Sequence, residues 1–232
     1  MERFNINGIP AALYGEPKDK VFLYIHGKLG CKEEAEALAE MLCPMGYQVL
    51  GIDLPEHGER KADGSRLLPW LAVPELRGVY EDVKAKWESV SLYAVSIGAY
   101  LSLLALGQEK FEHALFVSPV LDMEKLIGNM MAWSGVSEAR LEKEKTIPTD
   151  FGETLSWEYF SWAKSNPICA CPSPSAILWA GKDELTDRKT VWGFARRFDC
   201  RLTVFEEGVH WFHTQEQLEV LNAWIKKELS EQ

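Results

Sequence analysis

Short apolar runs alternate with stretches of helical periodicity over the first half of the chain. Two short strands, at 2–7 and 9–15, are predicted around Asn7 and Gly8, a dipeptide typical of hairpin turns. The alternation then predicts strands at 20–25, 47–53, 90–95 and 113–118, separated by helices at 32–45, 74–88 and 97–108. Alternation of this kind is typical of a parallel sheet with right-handed crossovers. The pattern therefore predicts an α/β fold.

The pattern changes between Pro119 and Pro174. This stretch carries no strand-like run, only helical pieces rich in methionine and aromatic residues. The alternation then resumes with a strand at 175–180, a helix at 188–198, a strand at 202–205 and a last helix at 214–229. The stretch therefore interrupts an otherwise regular series of strands and helices.

The boundary between the strand at 90–95 and the helix at 97–108 falls on Ser96. Small residues, Ala94 and Gly98, stand two positions to either side of it, which gives an A-x-S-x-G pattern. A sharp strand-to-helix turn of this kind lifts a serine Oγ into a cleft and points the helix N-terminus at it. We interpret Ser96 as a nucleophile, although a serine between a buried strand and a buried helix is more often structural.

Two further side chains follow later strands in the chain order Ser, Asp, His. Asp183 comes just after the strand at 175–180, and His210 lies in the loop after the strand at 202–205. The carboxyl ends of parallel strands meet at one edge of a sheet, so both side chains are predicted to lie beside Ser96. In this arrangement His210 takes the serine proton, and Asp183 orients and stabilises the imidazole.

The strand at 20–25 runs into an H-G-x-x-G turn that begins at His26. Such a turn frees a backbone N–H for a negatively charged oxygen that develops during acyl transfer. The predicted donors are the backbone N–H groups of Lys28 and Ile97, the residue after the serine. The residues predicted to support this arrangement are His26, Gly27, Gly30 and Gly98.

Composition limits the classes of partner. The 232 residues, 47% of them hydrophobic, fit one domain. A net charge of −10 argues against nucleic acid and anionic membrane surfaces, because both are themselves negatively charged. Because the sequence contains no phosphate-binding loop, dinucleotide fingerprint or H-E-x-x-H helix, we expect no cofactor and no metal.

Two further features of the sequence bear on where in the cell the protein is found. The five cysteines, an odd number, and the lack of an apolar signal near Met1 predict free thiols in a reducing compartment, which indicates a cytoplasmic protein. The stretch 89–108 carries no charged residue and is long enough to cross a bilayer. Its period changes at Ser96, so we interpret it as a buried strand followed by a buried helix.

Taken together, these motifs resemble the α/β-hydrolase superfamily over nearly the whole chain. The segment 53–58 resembles the family's D-x-P-x-H-G loop, and 208–214 looks like the small bacterial esterase-like hydrolases of the superfamily. The resemblance implies a mostly parallel eight-stranded sheet flanked by helices in a single domain over 1–232. It also implies a helical cap inserted at 120–172, over the catalytic edge of the sheet, and a Ser-His-Asp hydrolase.

Some residues have alternative roles. Asp122 is the strongest alternative for the acid, since it follows the strand at 113–118, where some superfamily members carry it. Asp187 better suits the N-cap of the helix at 188–198. His57, together with Asp53, is expected to organise its own loop, and His213 lies three residues past His210.

The function predicted from these features is a serine hydrolase that cleaves a small-molecule carboxylic ester or related acyl compound. The alternatives are a non-catalytic small-molecule-binding protein on the same fold, and a thioesterase or peptidase of the superfamily. The residues proposed to line a substrate pocket are Met130, Met131, Trp133, Trp157 and Trp211. We expect the cap residues to control selectivity for acyl-chain length.

Overall fold

The computed structural model describes residues 1–172 and 174–230 of the chain. The strands are β1 (Glu2–Ile6), β2 (Ile9–Tyr14), β3 (Lys20–Ile25), β4 (Gln48–Ile52), β5 (Ser89–Val95), β6 (Ala114–Val117), β7 (Thr146–Pro148), β8 (Thr154–Ser156), β9 (Ser175–Ala180) and β10 (Arg201–Phe205). The α-helices are α1 (Ala35–Leu42), α2 (Pro69–Lys86), α3 (Ile97–Leu106), α4 (Met123–Trp133), α5 (Glu138–Glu144), α6 (Trp157–Ser165), α7 (Arg188–Phe198) and α8 (Gln215–Ser230).

Eight of the strands form one sheet in the order β1-β2-β4-β3-β5-β6-β9-β10. The β1–β2 and β2–β4 pairs are antiparallel, and all the others are parallel. The mostly parallel eight-stranded sheet flanked by helices is thus confirmed. In register, Ile25 pairs with Ala94 and Val95 with Val117, so β3, β5 and β6 end at the same edge. The loops that follow these strands therefore start side by side.

The central strands are buried on both faces of the sheet. Phe22, Leu23 and Leu92 have no exposed surface, and the buried apolar residues form two clusters. Burial on both faces explains why β3 and β5 are nearly continuous apolar runs. The uncharged stretch 89–108 is divided between β5 and α3, as interpreted from its change of period. Within the described residues, no helix is both long enough and apolar enough to cross a membrane.

Helix α2 begins earlier than predicted. It starts at Pro69, in the first helical position, whereas the sequence prediction placed its start at Pro74. Proline suits the first position because its missing N–H is not needed there, but inside a helix it removes one hydrogen bond. Pro74 lies within α2 all the same, since Ala72, Val73 and Leu76 around it are buried in the core. Packing thus overrides the local preference.

The segment 120–172, called the cap segment below, contains α4, α5, a small hairpin and α6. The expectation that no strand occurs between Pro119 and Pro174 is wrong, because β7 and β8 pair there in antiparallel fashion. Each strand has only three residues, which is too short for an alternating pattern to show in the sequence. Ile147 and Leu155 pair across this hairpin and are buried in the larger of the two apolar clusters.

Candidate active site

Ser96 occupies the sharp turn between β5 and α3. Its backbone has φ 51° and ψ −118°, a conformation that L residues rarely adopt and that costs roughly 1–3 kcal/mol. Hydrogen bonds on both sides hold it there: its N–H donates to the Val117 carbonyl at 3.0 Å, and its own carbonyl accepts from the Val120 N–H at 3.2 Å. The turn therefore has the strained geometry of a nucleophile elbow.

Small residues beside the serine are required by close approaches of the backbone. A Cβ on Gly98 would lie 2.3 Å from the His26 carbonyl oxygen and 2.8 Å from that of Ile25. Both obstacles are backbone atoms, so no side-chain movement would relieve the overlap. Ala94 stands where the usual pattern has the first glycine, and its side chain is fully buried in β5. Position 94 thus has room for a methyl group, whereas position 98 does not.

Ser96, His210 and Asp183 form a continuous hydrogen-bonded chain. The Ser96 Oγ lies 2.8 Å from His210 Nε2, and His210 Nδ1 lies 2.7 Å from Asp183 Oδ2. Because a carboxylate only accepts hydrogen bonds, the imidazole proton sits on Nδ1, and Nε2 is free to accept from the serine hydroxyl. This is the arrangement in which a histidine acts as a general base towards a serine.

The side chain of Asp183 is fully buried, and its charge is compensated by several donors. Besides the His210 contact, its Oδ1 accepts the backbone N–H groups of Leu185 at 2.8 Å and Thr186 at 3.1 Å. A buried carboxylate without such donors would be costly to maintain in its charged form. The two N–H groups also fix the plane of the carboxylate, so Oδ2 is directed at the imidazole.

The loops after β9 and β10 are joined by backbone hydrogen bonds. The Gly181 N–H donates to the Phe205 carbonyl at 2.8 Å, and the Lys182 N–H donates to the Gly208 carbonyl at 2.9 Å. At Gly181 a Cβ would lie 2.5 Å from the carbonyl oxygen of Glu206. This close packing brings the loop that carries His210 against the loop that carries Asp183.

The turn at 26–30 lies directly beside the serine. A Cβ on Gly27 would contact the Ser96 Cβ at 3.4 Å, and the Gly30 N–H closes the turn by donating to the Gly27 carbonyl at 3.2 Å. Ile97 is the first residue of α3, so its N–H has no acceptor within the helix. Both segments predicted to supply oxyanion donors therefore border the serine.

The alternative candidates have other contacts. Asp122 caps α4 by accepting the Lys125 N–H at 2.9 Å, and Asp187 caps α7 by accepting the Thr190 N–H at 3.2 Å. His213 donates from Nδ1 to the Trp211 carbonyl at 2.7 Å. Of the carboxylates considered from the sequence, Asp183 is the one that contacts His210.

The five residues proposed for a substrate pocket lie in different environments. Met131 is buried in the core, and Met130 and Trp157 are partly buried against it. Trp133 is 53% exposed and packs edge-on against Phe151. Trp211, the residue after His210, is 71% exposed and stacks on His213. The two exposed tryptophans are therefore the ones accessible to a ligand.

One contact that no pattern in the sequence predicts joins the cap segment to the turn at 26–30. Lys28 forms an ion pair with Glu153, which lies between β7 and β8. The two residues are 125 positions apart, and no local pattern relates them. The small hairpin thus lies next to the turn that borders Ser96.

No protein-family model matches the chain, and no curated protein matches its sequence. Solved structures do match. Est1E from Butyrivibrio proteoclasticus, in a structure with ferulic acid bound, is 18% identical, with 100% of both chains covered and a TM-score of 0.77.

Two other structures show the same likeness. Alpha/beta hydrolase domain-containing protein 10 from mouse is 14% identical, with 99% of this chain and 98% of that chain covered and a TM-score of 0.77. An esterase from Pyrococcus furiosus is 18% identical, with 95% of this chain and 84% of that chain covered and a TM-score of 0.69. The chain therefore has the fold of these hydrolases over nearly its full length.

Proposed function

We propose that the protein is a serine hydrolase that cleaves a carboxylic ester, or a related acyl compound, through an acyl-enzyme. The observation that carries the proposal is the hydrogen-bonded chain from Ser96 Oγ through His210 to the buried Asp183. The three groups have the contacts and the tautomer that nucleophilic catalysis by serine requires.

In the proposed reaction, Ser96 Oγ attacks the acyl carbonyl while His210 Nε2 takes the hydroxyl proton. Asp183 stabilises the imidazolium that results. The negative oxygen of the tetrahedral intermediate accepts the N–H groups of Ile97 and Lys28, each worth roughly 3 kcal/mol of transition-state stabilisation. The intermediate then expels the alcohol, which receives the proton from His210. Water, activated by the same histidine, hydrolyses the acyl-enzyme and restores Ser96.

The structural relatives support an ester as the substrate class. Est1E was observed with ferulic acid bound, and the Pyrococcus furiosus protein is described as an esterase. The exposed Trp133 and Trp211 are consistent with a substrate that is partly apolar. All five cysteines are free thiols, and we infer from this a reducing compartment, such as the cytoplasm.

The test is covalent labelling combined with turnover. We expect a fluorophosphonate probe to label the wild-type protein at Ser96, and the protein to hydrolyse p-nitrophenyl acetate. Ser96→Ala should abolish labelling and reduce kcat on the order of a million-fold. The matched control is Ser102→Ala, at a fully buried serine in α3, the helix that follows Ser96, which should keep both properties.

Two results would contradict the proposal. Ester hydrolysis by Ser96→Ala at more than about a tenth of the wild-type rate would place the nucleophile elsewhere, since loss of a nucleophile costs far more than that. Absence of labelling in folded wild-type protein would instead favour a non-catalytic binding protein on this fold.

A further inference from the structure

We propose that His57 is a positioning residue: its imidazole holds the peptide group between Lys28 and Leu29, so that the Lys28 N–H in the same turn is directed at the substrate oxygen. The inference rests on the proposed hydrolase function, because it concerns the oxyanion site of that reaction. His57 lies in the loop after β4, and it contacts the turn at 26–30 from outside.

The first of the two peptide groups joins Gly27 to Lys28. Its carbonyl oxygen accepts two hydrogen bonds, from His26 Nδ1 at 2.7 Å and from the Gly30 N–H at 3.2 Å. In a planar trans peptide the C=O and N–H point in opposite directions. Holding the Gly27 carbonyl on one side therefore directs the Lys28 N–H to the other. His26 and Gly30 thus orient the proposed donor.

The second peptide group joins Lys28 to Leu29, and His57 holds it. The Leu29 N–H donates to His57 Nε2 at 2.9 Å. Leu29 has φ 66°, a left-handed conformation that costs an L residue roughly 1–2 kcal/mol, and its side chain is 84% exposed. Packing of an exposed side chain contributes little to holding the strained backbone. The hydrogen bond to His57 therefore opposes relaxation of the turn from outside it, in addition to the bond from Gly30 to Gly27 within the turn.

His57 is itself held firmly. Its ring is buried, and Nδ1 donates to the Pro55 carbonyl at 2.8 Å. Its loop is attached through the buried Asp53, which accepts the Lys32 ammonium at 3.0 Å and the Glu59 N–H at 3.0 Å. The next residue, Gly58, has φ 52°, and a Cβ there would lie within 2.3 Å of the Asp53 carboxylate. The loop is thus a rigid support for the imidazole.

Both histidines near the turn are neutral and protonated at Nδ1. Each accepts a backbone N–H at Nε2: His57 from Leu29, and His26 from Leu54 at 3.0 Å. A nitrogen that accepts an N–H carries no proton, so the tautomer is dictated by the backbone in both rings. Burial of His26 lowers its pKa to about 4, which keeps that ring neutral. The rings lie 5.1 Å apart, so the two supports are adjacent.

The test compares His57→Phe with His57→Gln. Phenylalanine fills the space but accepts no hydrogen bond, whereas the glutamine Oε1 provides an acceptor in place of Nε2. The control is His113→Phe, at another buried histidine, which directly precedes β6 at the N-terminal end of that strand. Three quantities are measured for each: kcat and KM for p-nitrophenyl acetate, and the inhibition constant of a trifluoromethyl ketone that adds to Ser96 as a tetrahedral oxyanion.

We expect His57→Phe to lower kcat about ten- to hundred-fold with little change in KM, because the donor is misdirected rather than removed. The inhibition constant of the ketone should weaken by the same factor as kcat/KM. His57→Gln should recover most of both losses, and His113→Phe should change neither. A purely structural role for His57 would not move the ketone affinity and the turnover together.

Either of two results would overturn the inference. The first is a kcat for His57→Phe within about threefold of the wild-type value, because a misdirected donor should cost more than that. The second is a lower kcat for His57→Phe with an unchanged inhibition constant of the ketone. If the phenylalanine variant does not fold, imidazole ¹⁵N spectra of the wild-type protein decide instead. Protonation of His57 at Nδ1 supports the inference, and protonation at Nε2 overturns it. Failure of the proposed function is recognised separately, by activity retained in Ser96→Ala.

Discussion

Replacing Asp183 by asparagine should reverse the tautomer of His210. Oδ1 of Asp183 accepts two backbone N–H groups, so an asparagine keeps its oxygen on those donors and turns its amide nitrogen towards the imidazole. An amide N–H cannot face the Nδ1–H of His210, so the ring proton moves to Nε2. In that form Nε2 no longer accepts the proton of Ser96 Oγ, although it lies only 2.8 Å away.

The magnitude follows from losing the base while keeping the geometry. A histidine held in the wrong tautomer costs on the order of ten-thousand-fold in kcat, which corresponds to about 5.5 kcal/mol in activation free energy. KM should change little, because the carboxylate of Asp183 is buried and contacts the ring nitrogen of His210 that is turned away from Ser96. The fold should persist, since the asparagine oxygen still satisfies the N–H groups of Leu185 and Thr186.

The assay is p-nitrophenyl acetate hydrolysis at neutral pH, with thermal unfolding to verify the fold. Asp122→Asn is the matched control: this residue caps α4, and asparagine caps a helix about as well as aspartate. Its activity should therefore stay close to that of the wild type. A large loss in Asp122→Asn together with an active Asp183→Asn would refute the assignment of the acid and would move it to the end of β6.

Three other outcomes are expected. Gly98→Ala should lower the free energy of unfolding, measured in urea, by about 3 kcal/mol and should reduce activity, because the new Cβ would overlap the His26 carbonyl. Gly193→Ala is the control in α7, where a Cβ has open space, and it should raise the free energy of unfolding by up to about 1 kcal/mol. Acidification should destabilise the protein through His26: its pKa is about 4 when folded and 6.5 ordinarily, so the unfolded chain takes up a proton first. As the pH falls from 6.5 to 4, the free energy of unfolding should decrease by about 3 kcal/mol through this histidine. A His26→Asn variant should lack this contribution to the pH dependence of the free energy of unfolding. The same pH dependence in the variant and the wild type would contradict the reasoning. Trp133→Ala should shift preference towards longer acyl groups, by at most about ten- to two-hundred-fold in kcat/KM per group. An unchanged profile over a p-nitrophenyl ester series would mean that Trp133 does not contact the acyl group.

The fold could be predicted because its signals are local. Strands such as β3 and β5 are buried on both faces and therefore read as apolar runs. The parallel topology follows from their alternation with helices. Prediction failed where the local signal was weak or misleading. The three-residue strands of the cap segment are too short to show a period, and Pro74 looked like a helix start although packing carries α2 through it.

The sequence by itself determined that Ser96, Asp183 and His210 follow strands of one parallel sheet, since chain order and periodicity are properties of the residues alone. The tertiary structure decided which side chains meet there. Whether Asp183 or Asp122 contacts His210 depends on how the loops after β9 and β10 join, through backbone hydrogen bonds between segments that are distant along the chain.

The same reason explains why the contacts of His57 and Glu153 could not be predicted from the sequence. The hydrogen bond from Leu29 to His57 and the ion pair between Lys28 and Glu153 each join loops that are distant along the chain. Such contacts depend on the exact path of the backbone in three dimensions, which periodicity does not encode. Periodicity encodes which face of an element is buried, and that is why the sequence determined the sheet but left the contacts between its loops to the fold.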